Sequence, residues 1–335
     1  MDDKILLAHG SGGKLQQQLI NEVFLPAFDN SVLNRMEDQA SLVLPPGRAA
    51  FTTDSYVVNP LFFPGGDIGR LAVCGTVNDL AVGGSKPLYL SAGFIIEEGL
   101  PVGILRDIAF SMKKAADEAG VLIVTGDTKV VEKGHADQLF INTAGIGVTP
   151  DQISIRASSA QPGDAVLVSG YIGDHEIAVM LAREGIQLKS PIKSDAVPLN
   201  GMIQVLLSAV PDVRIMRDPT RGGLATTLNE LAQSSQVTIK IFEKDLPVKD
   251  EVASACEIFG FDPLYLANEG KVIVIVPQRQ AKTALQALQT HHYGQQAAII
   301  GEVTKDQPGK VYLETKIGGM RIVDMMAGGQ LPRIC

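Results

Sequence analysis

The chain has 335 residues, of which 45% are hydrophobic and 20% are charged, and its formal net charge is −8. This composition excludes a disordered or fibrous chain, and the length favours two domains of about 150 residues each. The acidic balance excludes the basic surface that nucleic acid or an anionic membrane requires, so neither is expected as a partner. No apolar run approaches the length of a membrane span and no secretory signal is visible at the start, so we expect a cytoplasmic protein.

The three cysteines are too far apart in sequence for a disulfide framework or a Cys-x-x-Cys metal site. Cys74 follows the apolar run 71–73 and Cys256 lies in a predicted helix, so both are expected to be buried packing residues. Cys335, the last residue of the sequence, follows Pro-Arg-Ile and is predicted to be a reactive thiol. An accidental exposed thiol is the alternative for Cys335.

Helices and strands are predicted in both halves of the chain, as is typical of a mixed α/β fold. In chain order, the pattern predicts strands at 50–58, 121–124, 139–148, 165–169, 271–276 and 311–313 and helices at 103–119, 176–184, 224–233, 248–259 and 279–291. The connection between Val148 and Val166 is polar and rich in Pro and Gly, which marks a domain boundary. The predicted parts are an N-terminal domain at 1–155, a C-terminal domain at 156–314 and a mobile tail at 315–335.

Acidic residues of the first half are predicted where a strand ends or a helix begins: Asp38, Asp54, Asp79 and Asp127. Mg²⁺ prefers hard oxygen ligands, commonly one or two carboxylates together with substrate phosphates. A cluster of these residues could therefore hold a metal ion and ATP together. The alternative is that each Asp caps a helix or stabilises a turn.

Glycine-rich and basic segments indicate anion binding. Gly12 and Gly13 could bring flexible backbone to phosphate and Lys14 a charge, although the spacing is not that of a P-loop. Arg217 and Arg221 precede a predicted helix, whose exposed amides could receive an anion together with the two guanidinium groups. A simple capped helix entry is the alternative for this second segment.

Glu269 stands in Asn-Glu-Gly-Lys, immediately before a very apolar strand. A carboxylate held at the edge of a dry site is a natural proton acceptor. A solvated turn carboxylate is the alternative.

A series of segments over essentially the whole chain resembles the family that includes aminoimidazole ribonucleotide synthetase, selenophosphate synthetase and thiamine-monophosphate kinase. The segments that carry the resemblance are 9–13, 53–56, 62–69, 75–81, 125–129, 217–223 and 266–271. The ending Leu-Pro-Arg-Ile-Cys at 331–335 resembles the hydrogenase-maturation branch of that family, since its siblings do not finish on a reactive thiol. The resemblance implies a two-domain α/β fold of aminoimidazole ribonucleotide synthetase type. In it an N-terminal sheet domain dimerises, ATP and Mg²⁺ lie near that interface, and a flexible tail follows a C-terminal α/β domain.

The same resemblance implies an ATP-dependent carbamoyl dehydratase that acts on its own Cys335. A carbamoyltransferase, HypF, would carbamoylate the thiol, and ATP would drive dehydration of the thiocarbamate to a thiocyanate. The HypC–HypD complex, which builds the iron centre of nickel–iron hydrogenase, would receive the cyano group. By resemblance, Cys335, Glu269 and Lys129 are catalytic, with Lys129 favouring the carboxylate form of Glu269. Asp54, Asp79 and Asp127 are assigned to the metal, and Gly12, Gly13, Lys14, Asp38, Asn78, Thr125, Gly126, Arg217 and Arg221 to the nucleotide.

The sequence departs from the family pattern at Glu176, which follows Gly-Asp-His where relatives commonly continue with glycine. A side chain there weakens the expectation that His175 contacts a ligand, and a solvated histidine at a helix entry is predicted instead. Two other functions stay open. A sibling enzyme that phosphorylates another amide or phosphate oxygen would keep its activity without residues 334–335. A non-catalytic assembly protein would use nucleotide as a conformational switch and Cys335 as a tether.

Overall fold

The computed structural model describes residues 3–185, 192–326, 328 and 333–335 of the chain. Up to residue 149, the helices are α1 (Lys14–Leu19), α2 (Leu25–Phe28), α3 (Ile68–Val82) and α4 (Val102–Ala119). The strands of this part are β1 (Arg48–Tyr56), β2 (Phe62–Phe63), β3 (Gly66–Asp67), β4 (Lys86–Glu97), β5 (Leu122–Val131) and β6 (Leu139–Thr149). Strands β2 and β3 form a small hairpin, and the others form the first sheet.

The first sheet has the strand order β1-β6-β4-β5, in which β4 and β5 are parallel and the other neighbours antiparallel. Its inner face packs on α3 and α4, where Leu90, Phe94 and Ile141 share one core with Leu71 and Leu105. Successive side chains of a strand point to opposite faces, so the alternate residues form a second, outer face. This outer face carries large apolar side chains that remain in contact with solvent.

Beyond residue 163, the strands are β7 (Asp164–Val168), β8 (Ile215–Arg217), β9 (Thr238–Phe242), β10 (Ile273–Pro277), β11 (Ala298–Thr304), β12 (Lys310–Glu314) and β13 (Met320–Ile322). The helices are α5 (Asp174–Arg183), α6 (Asn200–Ala209), α7 (Gly223–Ser235), α8 (Asp250–Phe259) and α9 (Ala281–Thr290). The strands form a second sheet in the order β13-β12-β9-β11-β7-β10-β8. Every helix in the described part of the chain is too short or too polar to traverse a bilayer.

The central strands of the second sheet are covered on both faces. Val166 and Ile273 pack on the side of α7, whereas Leu167 and Val274 pack on the side of α6 and α9. A strand that is buried on both faces is apolar at every position, which explains the uninterrupted run at 272–276.

The two domains are joined by Asn78 on α3. Its Nδ2 donates to the carbonyls of Val197 and Glu269, both at 3.1 Å, and its Oδ1 accepts from the N–H of Leu199 at 2.7 Å. Next to this junction, a Cβ at Gly270 would collide with the backbone oxygen of Asp195. Only glycine therefore lets the segment that carries Glu269 pass so close to its neighbour.

The strands and helices that the sequence predicts are present, with ends that differ by a few residues except in β5, which continues to Val131 and not to the predicted 124. Helix α3 was not predicted, because it is apolar on all sides and lacks the amphipathic period of a surface helix. Regular structure also continues into the predicted tail, where β13 pairs with β12 at the edge of the second sheet.

Candidate active site

Residues 333–335 lie against the segment that follows β1. The N–H of Val57 donates to the carbonyl of Cys335 at 3.0 Å, and the N–H of Asn59 donates to the carbonyl of Arg333 at 3.3 Å. The donor residue number rises from 57 to 59 while the acceptor residue number falls from 335 to 333, so the two segments run antiparallel. Ile334 between them is 5% exposed and belongs to the core of the first domain.

Helix α5 of the second domain holds the same three residues from the other side. His175 Nε2 lies 2.7 Å from the carbonyl oxygen of Ile334, and Arg183 Nη2 donates to the carbonyl of Arg333 at 2.7 Å. His175 is fully buried. The prediction of a solvated His175 is therefore wrong, because the docked segment and the hairpin residue Phe63 cover the ring.

Glu269 is the carboxylate that faces this docked segment. It is 4% exposed, and its Oε1 has no hydrogen-bond partner among the described residues. Burial, and then the neighbouring charges of Asp195, Asp218 and Asp54, raise the pKa of Glu269 well above its ordinary value. Glu269 therefore binds a proton strongly, as a general base must once it is ionised.

Asp195 and Lys271 form a buried ion pair beside Glu269. Lys271 Nζ lies 2.8 Å from Asp195 Oδ2, and Asp195 Oδ1 accepts from the N–H of Glu269 at 3.0 Å. Burial alone would raise the pKa of Asp195, but Lys271 and the Glu269 N–H outweigh it and hold that pKa below its usual range. Asp195 thus stays ionised and fixes the backbone on which Glu269 stands.

The thiol of Cys335 is in an environment that disfavours the thiolate. Burial, and then the charge of Glu269, raise the pKa of Cys335 to about 12, and Arg221 opposes them. The docked position therefore suits a neutral sulfur, such as a thiol or an S-carbamoyl group, better than a charged one.

A polar cleft of about 670 Å³ opens between the two domains, and it is lined by Arg221, whose charge acts on Cys335. Its lining includes Asp79 from α3 and Arg217, Asp218 and Arg221 from the segment that leads into α7. Thr52 Oγ1 donates to Asp79 Oδ2 at 3.0 Å, so Asp79 faces the inner side of β1. Burial, and then the charge of Asp79, raise the pKa of Asp218 to about 7. Two guanidinium groups and two carboxylates can here receive an anionic ligand together with a cation.

A second group of predicted residues lies around β5. Asp127 and Lys129 form an ion pair at 2.8 Å, and both side chains are exposed. A smaller cavity of about 170 Å³ lies beside them, between α2 and the sheet, and its lining includes Thr125 and Gly126. Gly12, Gly13 and Lys14 lie in the exposed segment at the start of α1, and Asp38 lies in an exposed irregular segment.

Asp54 and Asp127 do not meet within one chain. They belong to the two edge strands of the first sheet, about 14 Å apart at about 4.8 Å per strand. They also lie on opposite faces, since Asp54 shares the face of Thr52, which contacts α3, and Asp127 shares that of the exposed Ile95. The described residues contain no group of three or more His, Cys, Asp or Glu that could hold a metal ion.

Three features of the predicted site need correction. Asp54, Asp79 and Asp127 lie within elements rather than at their ends. Lys129 is not beside Glu269 in the chain, because β5 lies at the far edge of the sheet from β1, where Cys335 is docked. The side chain of Asn78 is not free for nucleotide in this structure, since both its N–H donors and its oxygen are engaged at the domain junction.

Some residues of the site were not predicted from the sequence, or their role was predicted wrongly. Asp195 stands in no motif, and its partner Glu269 is 74 residues away. Asp218 lies inside the recognised segment 217–223, where only the arginines were predicted to act. Glu176 is buried and accepts from the N–H of Ala267 at 2.6 Å, so the departure from glycine connects α5 to the irregular segment that carries Glu269. Cys74 and Cys256 are buried, as predicted.

Comparison with known proteins agrees with this architecture. Residues 36–149 match the N-terminal domain of AIR synthase related proteins, and residues 161–314 match their C-terminal domain. Carbamoyl dehydratase HypE of Azotobacter vinelandii is 52% identical over 329 residues, which cover 98% of this chain and 96% of that relative. The solved structure of HypE in complex with ATP matches with a TM-score of 0.95 at 48% identity and covers 98% of this chain and 99% of its own. A chain of the solved HypE–HypF complex matches with a TM-score of 0.81 at 55% identity, covering 92% and 99%. The chain therefore belongs to the AIR synthase related family, and within it to the group of HypE carbamoyl dehydratases, which confirms the predicted resemblance and the two-domain α/β fold.

Proposed function

We propose that this chain is an ATP-dependent carbamoyl dehydratase that converts an S-carbamoyl group on Cys335 into an S-cyano group. The observation that carries the proposal is the docking of Cys335 beside the buried Glu269, where the charge of Arg221, which lines a cleft suited to an anion, acts on both groups. The sulfur, a proton acceptor and a phosphate-binding surface are thus brought together by two domains.

The reaction needs two bond exchanges and the loss of two protons. The carbamoyl oxygen attacks the γ-phosphorus of ATP, the bond from that phosphorus to the β,γ-bridging oxygen breaks, and ADP leaves. One N–H proton is lost as the S–C(=NH)–O–phosphate forms. The second N–H proton is then removed as the C–O bond breaks, which releases phosphate and leaves S–C≡N. Arg217 and Arg221 would stabilise the charge of the transferring phosphoryl group, and Glu269 would accept the second proton.

ATP is the nucleotide we propose, because a relative of 48% identity has been solved with it. Mg²⁺ would neutralise the phosphate oxygens during transfer. In a single chain, Asp54 and Asp79 face the cleft side of the first sheet and could supply part of its coordination, the phosphates supplying more. Asp127 could join them only from a second copy of the chain.

A homodimer that pairs through the outer face of the first sheet is the assembly we propose. Phe51 is 71% exposed and Ile95 44% exposed on this face, and such large apolar side chains mark an interface. Asp127 and Lys129 lie on the same face. Pairing through it would carry Lys129 of the partner subunit toward the site of Cys335 and Glu269, which restores the predicted role of Lys129 across the dimer.

HypF is the proposed carbamoyl donor enzyme, because a relative of 55% identity has been solved in a HypE–HypF complex. The HypC–HypD complex is the proposed acceptor of the cyano group. Both assignments require residues 333–335 to leave their docked position, since the thiol must then reach another protein.

The experiment uses protein that carries a carbamoyl group on Cys335, mixed with ATP and Mg²⁺ and followed by intact mass and released phosphate. We expect loss of the mass of one water for each phosphate released, and no such loss in Cys335→Ala. Phosphate release without the mass change would instead support a sibling kinase. Nucleotide binding with neither change would support a conformational switch.

A further inference from the structure

His175 makes the contact from the second domain that lies nearest to Cys335 along the docked segment. One ring nitrogen, Nε2, is 2.7 Å from the carbonyl of Ile334, and the other, Nδ1, is 2.8 Å from Ser194 Oγ. The ring is fully buried, and the edge of its plane meets Phe63 at a centroid distance of 5.6 Å. Its position therefore cannot shift without disturbing the segment that it touches.

The neighbours of His175 determine where its proton lies. A carbonyl oxygen can only accept, so Nε2 must carry the hydrogen that is donated to Ile334. Burial lowers the pKa of His175, although Asp195 opposes this, and the ring is accordingly neutral. Nδ1 is then an acceptor, and Ser194 supplies the hydrogen. Ser194 Oγ is itself held by the N–H of Ala196 at 3.1 Å.

We propose that His175 is a positioning residue: by binding the carbonyl of Ile334 it holds the docked segment in place, and so places the sulfur of Cys335 against Glu269. Only the catalytic consequence of this positioning rests on the proposed function. The contact between His175 and Ile334 belongs to the docked state, whatever reaction follows. His175 donates its hydrogen bond to the backbone carbonyl of Ile334 and not to a side chain. The same contact can therefore form whether the sulfur is free, carbamoylated or cyanated.

The reaction cycle needs two states of the segment, and this contact is present in one and broken in the other. A docked segment places the sulfur for dehydration, and a released one exposes it to other proteins. One hydrogen bond is strong enough to favour docking and weak enough to be broken at each release. Arg183, which binds the next carbonyl along the segment, works in the same direction.

The test measures how fast iodoacetamide alkylates each cysteine, resolved by mass spectrometry, in the unmodified full chain without nucleotide. Cys74 and Cys256 are buried, at 0% and 3% exposure, and report general loosening of the fold in the same molecule. We expect His175→Ala to raise alkylation of Cys335 roughly five-fold, the equivalent of one net hydrogen bond, with Cys74 and Cys256 still protected. His135→Ala, which removes an exposed histidine, is the matched control and should change nothing.

The conservative variant separates hydrogen bonding from packing. The side-chain amide of Gln reaches about as far as Nε2 of His and can donate, so His175→Gln should return Cys335 alkylation most of the way to the parent rate. Equal alkylation in the Ala variant and the parent would overturn the proposal. So would exposure of all three cysteines together, or a Gln variant that behaves like Ala. The measurement needs neither ATP nor a carbamoyl group, so it can succeed even if the proposed dehydration fails.

Discussion

At the scale of single residues, the site combines carboxylates that bind protons strongly with cations that receive an anion. Burial raises the pKa of Glu269, whereas Lys271 holds Asp195 ionised nearby in spite of its burial. Perturbed pKa values of opposite sense within one cluster are typical of an acid–base site. The same pattern would not arise if Glu269 were a solvated turn residue.

Glu269→Gln tests the role of that carboxylate. The amide cannot accept the proton that leaves the nitrogen, so dehydration of S-carbamoyl Cys335 should slow by roughly 100-fold or more. The carbamoyl group should remain on the sulfur, as seen by intact mass, and nucleotide binding should persist. A variant that forms the S-cyano group at the parent rate would remove Glu269 from the mechanism.

Local motifs pointed to Cys335, Glu269 and Arg221, and the structure brings the three into one neighbourhood, whereas their roles stay predictions. The sequence was not sufficient for Asp195 or for the burial of His175. Both depend on contacts made when distant segments fold together, and one polar residue in a loop gives no signal of such a contact. The separation of Lys129 from Glu269 within one chain has the same origin, since strand order and not chain order decides which edge of a sheet a residue occupies.

At the scale of elements, docking of residues 333–335 depends on the protonation of the Cys335 thiol. The docked position favours neutral sulfur, because burial raises the pKa of Cys335 to about 12 from an ordinary value of 9.0. An acid whose pKa is higher in the docked state binds its proton more tightly there. Docking is therefore fully favourable below the ordinary pKa and weakens as the pH rises from that value toward the docked one.

The docking equilibrium of the free thiol should thus shift toward release above pH about 9, whereas S-carbamoylated protein should show no such shift. A probe on the tail, such as a fluorophore at an exposed position near residue 328, would report release as a change in anisotropy. Equal pH dependence for thiol and carbamoylated protein would contradict the assignment, because only the thiol can ionise.

Glu176 gives a second prediction for α5. Burial raises the pKa of Glu176 to about 7, so its stabilising effect is fully present below the ordinary pKa and is lost as the pH rises to about 7. Glu176→Gln keeps an oxygen that can accept from the Ala267 N–H but has no charge. Its stability relative to the parent should therefore increase by about 2–3 kcal/mol between about pH 5 and pH 8. Chemical denaturation at the two pH values measures this, and an unchanged difference would show that Glu176 ionises freely in the fold.

At the scale of the whole molecule, the first sheet divides its functional residues between two faces and two edges. One chain presents Asp54 and Asp79 on the inner face and Asp127 with Lys129 on the outer face, and Cys335 is docked beside the segment that follows the edge strand β1. The two-domain fold, which the family resemblance implied, is confirmed, but the faces on which these residues lie were not predicted from the sequence. The strand order, which separates the predicted metal ligands, was not readable, because it is set by long-range pairing.

Phe51→Glu tests the proposed dimer. A charge at this exposed position of the outer face should prevent association, so we expect a monomer by light scattering and loss of dehydration, with the circular dichroism spectrum unchanged. Ile258→Glu is the matched control, since Ile258 is 72% exposed but lies on α8, away from this sheet. A Phe51→Glu variant that stays dimeric would place the interface elsewhere.

The account depends most directly on the fate of the carbamoyl oxygen. Protein whose S-carbamoyl group on Cys335 carries a heavy oxygen isotope should be mixed with unlabelled ATP and Mg²⁺ in ordinary water, and the released phosphate analysed by mass spectrometry. If the carbamoyl oxygen is phosphorylated before it leaves, the phosphate acquires one heavy oxygen for each S-cyano group formed. Heavy oxygen in water with unlabelled phosphate would contradict the account, because dehydration would then proceed without phosphorylation of that oxygen.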